Sequence, residues 1–202
     1  MSMSMQQWRS RLVEAGLLLP TAAAGVYGFG GTFEAIASGV ARLVSQAATE
    51  TGIEVVRFPP LIASESFGRT GYLDSFPELV GAVRSFGGGE RDHQELLRRY
   101  ERGEDWADAL EPAGVVLCSA VCHPLYPMLE SPLPDGGRTY DVLGWVYRHE
   151  PGPDPARLQA FRQQEMVHVG DPSSAMAHRE LWLRRACDLL SGIGLEVRQD
   201  LA

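Results

Sequence analysis

"GWVYRHEPGPDPARLQAFRQQEMVHVG", residues 144–170, holds two apolar-rich runs separated by a loop of Pro, Gly and Arg. Val, Tyr, Trp and Phe suit a pleated, half-buried surface, and the Pro and Gly supply the reversal. The pattern predicts an antiparallel hairpin in which "TYDVLGWVYR" (139–148) returns as "FRQQEMVHVG" (161–170). Two arginine–carboxylate pairs, Arg148 with Glu150 and Arg162 with Glu165, are expected to face each other across it. Taken alone, such pairs also fit a solvated cross-strand ladder, worth roughly 0–1 kcal/mol each.

Working outward, the chain reads as one unit over 1–202, with no internal repeat and no long low-complexity linker. A first helix is expected from Gln6 to Ala15. A second, capped by Thr32, runs to Glu50 with Phe33, Ile36, Val40, Leu43 and Val44 on one face. "IEVVRFPPLI" (53–62) reads as a strand that stops or meets an edge at Pro59, because proline cannot donate to a ladder. "SESFGRTGYLDSFPELV" is turn-rich, and a strand follows over Arg84 to Phe86. Arg91 to Arg102 and Trp106 to Leu110 read as charged surface helices. "GVVLCSAVCHPLYPML" is an apolar strand entering a Pro-rich loop. A last helix, Ser174 to Leu190, leads to a short strand in "GLEVRQDLA".

Composition removes whole mechanisms. Every one of the 18 basic residues is Arg, so no Schiff base, lysine nucleophile or phosphate-loop lysine is available. A formal charge of -8 opposes a broad nucleic-acid surface, though a local cationic cleft is compatible with it. Three cysteines, Cys118, Cys122 and Cys187, without a secretory signal or a membrane-length apolar run, suggest reduced thiols in a cytoplasmic protein away from the membrane.

A helix, a strand ending in proline and a long hairpin with Arg and Glu resemble the catalytic core of class II aminoacyl-transfer RNA synthetases. More closely, they resemble a shortened seryl-synthetase relative, the amino acid:[carrier protein] ligases. "TFEAIASGVARLVSQAATETGIEVVRFPP" resembles the first class II motif and "YRHEPGPDPARLQAFRQQEMVHVG" the second, while "GYLDSFPEL" and "SAVCHPLYP" resemble signatures of the ligases themselves. The likeness runs from Gly28 to Gly194. It implies an α+β fold, an antiparallel sheet flanked by helices, with the third class II motif missing at the C-terminus.

The resemblance also assigns roles. Arg148 would meet the α-phosphate of a nucleotide, where a fixed guanidinium fork stabilises growing negative charge. Glu150 would contact the adenine edge, and Arg162 completes the cationic set. Zinc in the ligases is held by two Cys and one Glu. Cys122 and Glu165 match two of these ligands, and the third is missing. A Cys118–Cys122 pair is separated by about 13 Å in an extended strand. His123 and His168 lie next to the matched ligands, but alternation sends strand neighbours to opposite faces. Where the family has Arg before the second-motif Glu, this sequence has Gln164.

Without the third motif the expectation is a ligase-like protein that no longer makes its own adenylate from ATP. It would act on an amino acid tethered to a carrier protein in a biosynthetic pathway, for example by intramolecular displacement or ring closure. Arg148, Glu165, His123 and His168 are the catalytic candidates, with His149, Glu65 and Asp74 as further bases. Two alternatives stand beside it: adenylation with the missing part supplied by a partner, and a non-catalytic subunit that stabilises another enzyme. No stable transfer RNA complex is expected. The helix and proline-ended strand over Phe33 to Ile62 are expected to bind a protein partner or a second copy.

Overall fold

Prolines and glycines decide where this chain changes sheet. The computed structural model describes residues 3–48 and 52–200. Helix α1 (Met5–Glu14) starts at Ser4, whose hydroxyl accepts from the Gln7 N–H while the Gln7 side chain accepts from the Ser4 N–H. Strands β1 (Leu18–Pro20) and β2 (Tyr27–Phe29) then form a small antiparallel ribbon. Helix α2 (Gly31–Ala47) follows directly, with Gly30 at its N-cap in place of the expected Thr32. The Gly30 N–H donates to the Leu17 carbonyl, and a Cβ there would overlap the Gly16 carbonyl oxygen, so the close approach requires glycine. The expected helix end at Glu50 lies outside the described residues.

The single strand expected over 53–62 is two strands in two sheets. β3 (Ile53–Val56) lies parallel to β7 (Arg138–Tyr147), which pairs antiparallel with β8 (Ala160–Val169). Pro59 and Pro60 have no N–H to continue the ladder, and beyond them β4 (Leu61–Ala63) joins a second sheet in the order β4-β6-β5, with β5 at Ala82–Ser85 and β6 at Glu111–Leu117. The turn-rich segment between β4 and β5 folds into two short helices, α3 (Ser64–Gly68) and α4 (Tyr72–Ser75). Helix α5 (Glu90–Glu101) is solvent-facing. Helix α6 (Pro172–Gly192) is capped by Asp171, which accepts from the Ser173 and Ser174 N–H groups. No strand forms over 194–200; the terminal strand expected there is replaced by irregular chain.

Two apolar clusters hold these parts. Val121, Leu125, Tyr140, Val142 and Val146 join the hairpin to the loop after β6, with Val56, Phe58, Phe161 and Val167 packed around them. Ile62, Phe67, Val116 and Cys118 join the second sheet to the short helices. The sheets meet where the Tyr147 N–H donates to the Cys118 carbonyl at 2.7 Å. Among the described residues no helix is long and apolar enough to cross a membrane.

Candidate functional site

Alternation along β7 and β8 sorts the hairpin into two faces. Tyr140, Val142, Val146, Phe161 and Val167 turn toward the 118–129 loop and pack on Val121 and Leu125. Gln163, on the same face, pins that loop by accepting the Val121 N–H at 3.2 Å. Arg148, just beyond β7, donates from Nε to the Ser119 carbonyl at 3.1 Å, and its guanidinium lies 5.4 Å from the centre of the Phe161 ring. Its terminal nitrogens have no hydrogen bond or ion pair with the described residues. Four residues beyond Phe161, roughly 13 Å along the strand, Glu165 meets Cys122, which also meets Tyr126.

This face therefore gathers Arg148, Glu165, Cys122 and His123. The Cys122 thiol is pushed up to about 12, first by burial and then by hydrogen bonding to Glu165. Burial also raises the Tyr126 phenol, with Cys122 the next cause. The His123 imidazole is held below its ordinary value by burial and by the nearby Arg148 charge, so it favours the neutral form. Its ring packs edge-on against Phe67 and Tyr72. His123 Nδ1 and the Ser119 hydroxyl are buried without a hydrogen-bond partner among the described residues.

The opposite face meets α2 and α6. Arg162 forms a two-pronged ion pair with Glu34 of α2, at 2.6 and 3.0 Å, and lies over Trp145 at 5.5 Å. Asp141, 2 % exposed, accepts from Ser45 at 2.6 Å and from Gln164 at 3.0 Å, with an Arg57 nitrogen at 3.5 Å. His168 sits between Thr139 and Ser174 and stacks on His178.

The predicted pairs are thus corrected. Arg162 and Glu165 are three positions apart on one strand, so they point to opposite faces. Glu150 pairs with Arg157 of the hairpin loop at 3.0 Å, leaving Arg148 outside that ion pair. Of the other candidates, His168 lies on the helix face. His149 donates its backbone N–H to Leu79. Glu65 pairs with Arg69 on the surface, and Asp74 is exposed on α4. Tyr126 was not foreseen; a tyrosine four residues after Cys122 in a Pro-rich loop carried the signal.

The donors fit the zinc set implied by resemblance incompletely. Cys122 and Glu165 come together, but among the described residues no three His, Cys, Asp or Glu side chains could hold a metal ion. Cys118 is buried in the neighbouring apolar cluster, its thiol raised to about 11 by burial.

No family model matches the chain. It is 39% identical over 180 residues to amino acid–[acyl-carrier-protein] ligase 1 of Bradyrhizobium diazoefficiens, and 38% identical to ligase 2 of the same organism, with 88% of this chain matched in each case. The chain is a homologue of the amino acid–[acyl-carrier-protein] ligases. This ligase homologue spans about half the length of those two relatives, 55% and 54%. A type-2 serine–tRNA ligase of Methanopyrus kandleri is 30% identical over 156 residues, 68% of the homologue and 29% of that protein. Among solved structures, a complex of M. kandleri SerRS with A. aeolicus tRNASec superposes with a TM-score of 0.79 over 97% of this chain and 40% of that one, at 23% identity. Giardia lamblia prolyl-tRNA synthetase superposes with a TM-score of 0.70 at 13% identity over 93% of this chain and 35% of that one. The mixed α+β fold is therefore that of a class II synthetase catalytic core.

Proposed function

We propose that the protein acts on an amino acid carried by a carrier protein, at the β7–β8 face where Arg148 and Glu165 lie beside the 118–129 loop, without making an adenylate of its own. The observation that carries this reading is the arrangement, on one half-buried face, of the Arg148 guanidinium and the Glu165 carboxylate, neither of which has an ion-pair partner among the described residues. A cation at one end and a carboxylate at the other match a substrate with a phosphate or acyl oxygen at one end and an amino group at the other. Homology to the acyl-carrier-protein ligases supports the carrier-bound form.

The same geometry disfavours ATP. Of the three arginines between Gly144 and Gly170, Arg157 is tied to Glu150 and Arg162 to Glu34, which leaves Arg148. One guanidinium can stabilise a phosphate ester or an acyl oxygen, whereas a transferring triphosphate is normally met by several cations. In the proposed chemistry Glu165 takes a proton from the substrate ammonium. The amine lone pair forms a C–N bond, and the bond from that carbon to an activated leaving group breaks with its electron pair. Neutral His123 is a second proton acceptor beside Arg148.

Intact-mass measurement of aminoacylated carriers, each bearing an amino acid with an activated side chain, tests the reading. Loss of the leaving group with retention of the aminoacyl thioester supports it; unchanged mass across the panel with active protein rejects it. Part of α2 is exposed and apolar, with Ile36 59% exposed and Val40 and Leu43 beside it, and Val55 of β3 is 67% exposed. This supports the expected protein interface over 33–62. Sedimentation should show self-association or partner rescue, and a clean monomer that resists aggregation would count against it.

A further inference from the structure

Arg148 is useful as an anion contact only if the residue that leaves β7 is held still, and β8 begins again only at Ala160 after the loop of residues 148–159. The base of that loop is held by Gln159. This residue is 8% exposed, and each of its polar groups has a partner, two in the 24–25 turn and two where β7 ends. Its carbonyl accepts the Arg148 N–H at 2.9 Å and its own N–H donates to the Gly25 carbonyl at 2.8 Å. Its side-chain Nε2 donates to the Ala24 carbonyl at 2.6 Å, and Oε1 accepts the Tyr147 hydroxyl at 2.9 Å.

The 21–26 loop between β1 and β2 is therefore a fixed post. Thr21 closes it by donating to the Val26 carbonyl at 2.7 Å. Gly25 has φ +73, a conformation that favours glycine, and a Cβ there would lie 3.1 Å from both Gln159 Cγ and the Glu150 carbonyl oxygen, so any side chain would push on its neighbours. Tyr147 is held equally firmly, because its ring fills the space a Cβ on Gly81 would occupy and its N–H donates to Cys118.

We propose that Gln159, braced by the 21–26 loop, is the positioning residue that sets the Arg148 guanidinium against Ser119 and Phe161. It does not touch the substrate; it acts through Arg148. The inference rests on the reading of Arg148 as the contact for a phosphate-bearing ligand, and that phosphate could belong to a nucleotide or to a carrier's pantetheine arm. AMP and pantetheine 4′-phosphate are the two probes.

The test compares native protein with Arg148→Ala, Gln159→Met and Tyr147→Phe, the last removing only one hydroxyl should Gln159→Met fail to fold. Two readouts are taken besides cooperative thermal unfolding: calorimetric affinity for each probe, and the nitrogen-15 NMR signal of Arg148 Nε–H, which the Ser119 carbonyl should protect from exchange. The expected result is a tenfold or greater loss of affinity in Gln159→Met, a smaller loss in Tyr147→Phe, and faster exchange of the Arg148 Nε–H in both, with unfolding still cooperative. The probe whose binding falls identifies the phosphate source. Loss of binding in Arg148→Ala, with Gln159→Met and Tyr147→Phe unchanged in affinity and in the Nε–H signal, overturns the inference alone. Binding by Arg148→Ala equal to native, or no binding of either probe by the native chain, overturns the reading on which it rests.

Discussion

On one face of the β7–β8 hairpin Arg162 grips Glu34, and Asp141 collects Ser45, Gln164 and Arg57. On the other face Arg148 has no carboxylate among the described residues, and Glu165 has the Cys122 thiol beside it, with the Tyr126 phenol on that thiol. The same two strands supply both faces, so residue type does not separate them. Saturation does. A polar group whose partners are all present holds α2 and the hairpin in register, whereas a half-buried one with spare capacity keeps that capacity for something that arrives.

The largest effect should come from breaking the unsaturated face. Arg148→Ala removes a side chain that makes one hydrogen bond and one ring contact, so we expect folding nearly intact and turnover of the aminoacyl carrier reduced about 100-fold or more. Mass-spectrometric rates read this directly. Asp141→Ala should do the reverse, because it takes the acceptor from the Ser45 hydroxyl and from one Gln164 N–H in a part-buried setting, leaving only the Gln164–Ser45 bond at 3.1 Å, and strips Arg57 of its carboxylate. We expect a loss of about 3 kcal/mol in urea unfolding, at the lower end for a buried pair because Arg57 is partly in water, with residual turnover per folded molecule unchanged.

Arg162→Ala sharpens the comparison, since it removes the hairpin's other strand arginine. The Glu34 carboxylate it releases is partly solvated and the pair is screened, so a loss of about 1 kcal/mol is expected, with turnover unaffected. Equal damage to turnover by Arg162→Ala and Arg148→Ala would erase the distinction between the faces.

The smallest effect concerns pH. The His168 imidazole is held below its ordinary value, by burial first and by His178 second, with Asp171 opposing. Its proton is bound more readily by the unfolded chain, so its contribution to stability is fully present above about pH 6.5 and falls as pH drops below that value toward its lower folded one. Unfolding midpoints measured between pH 7.5 and 5 should decline, and His168→Gln should flatten part of the slope. An unchanged slope in that variant would locate the titration elsewhere, with His123, whose imidazole is also held low by burial, the next candidate.

Much of this was legible before any coordinates. The hairpin strands were readable because β-branched and aromatic residues flank a Pro–Gly loop, and α1, α2 and α6 because apolar positions recur at helical spacing. That Arg162 and Glu165 could not share a face was also legible from their odd separation, and the paired-residue reading overlooked it. What local pattern could not reveal is long-range. Glu34 lies far from Arg162 in sequence, Gln159 finds Ala24 and Gly25 only after folding, and the passage of 53–62 from one sheet to another depends on which strands are present to receive it. The irregular 194–200 segment looked like a strand because its apolar residues alternate, yet among the described residues it finds no strand to pair with.

The most direct test of the account is ATP–pyrophosphate exchange by the 202-residue chain alone, assayed with each of the common amino acids beside an active ligase relative as control. With Arg157 and Arg162 already held by Glu150 and Glu34, and Arg148 left as the free guanidinium of the hairpin among the described residues, we predict no exchange above background with any amino acid. Robust exchange that depends on one amino acid and disappears in Arg148→Ala would contradict the account and make the protein an adenylating enzyme.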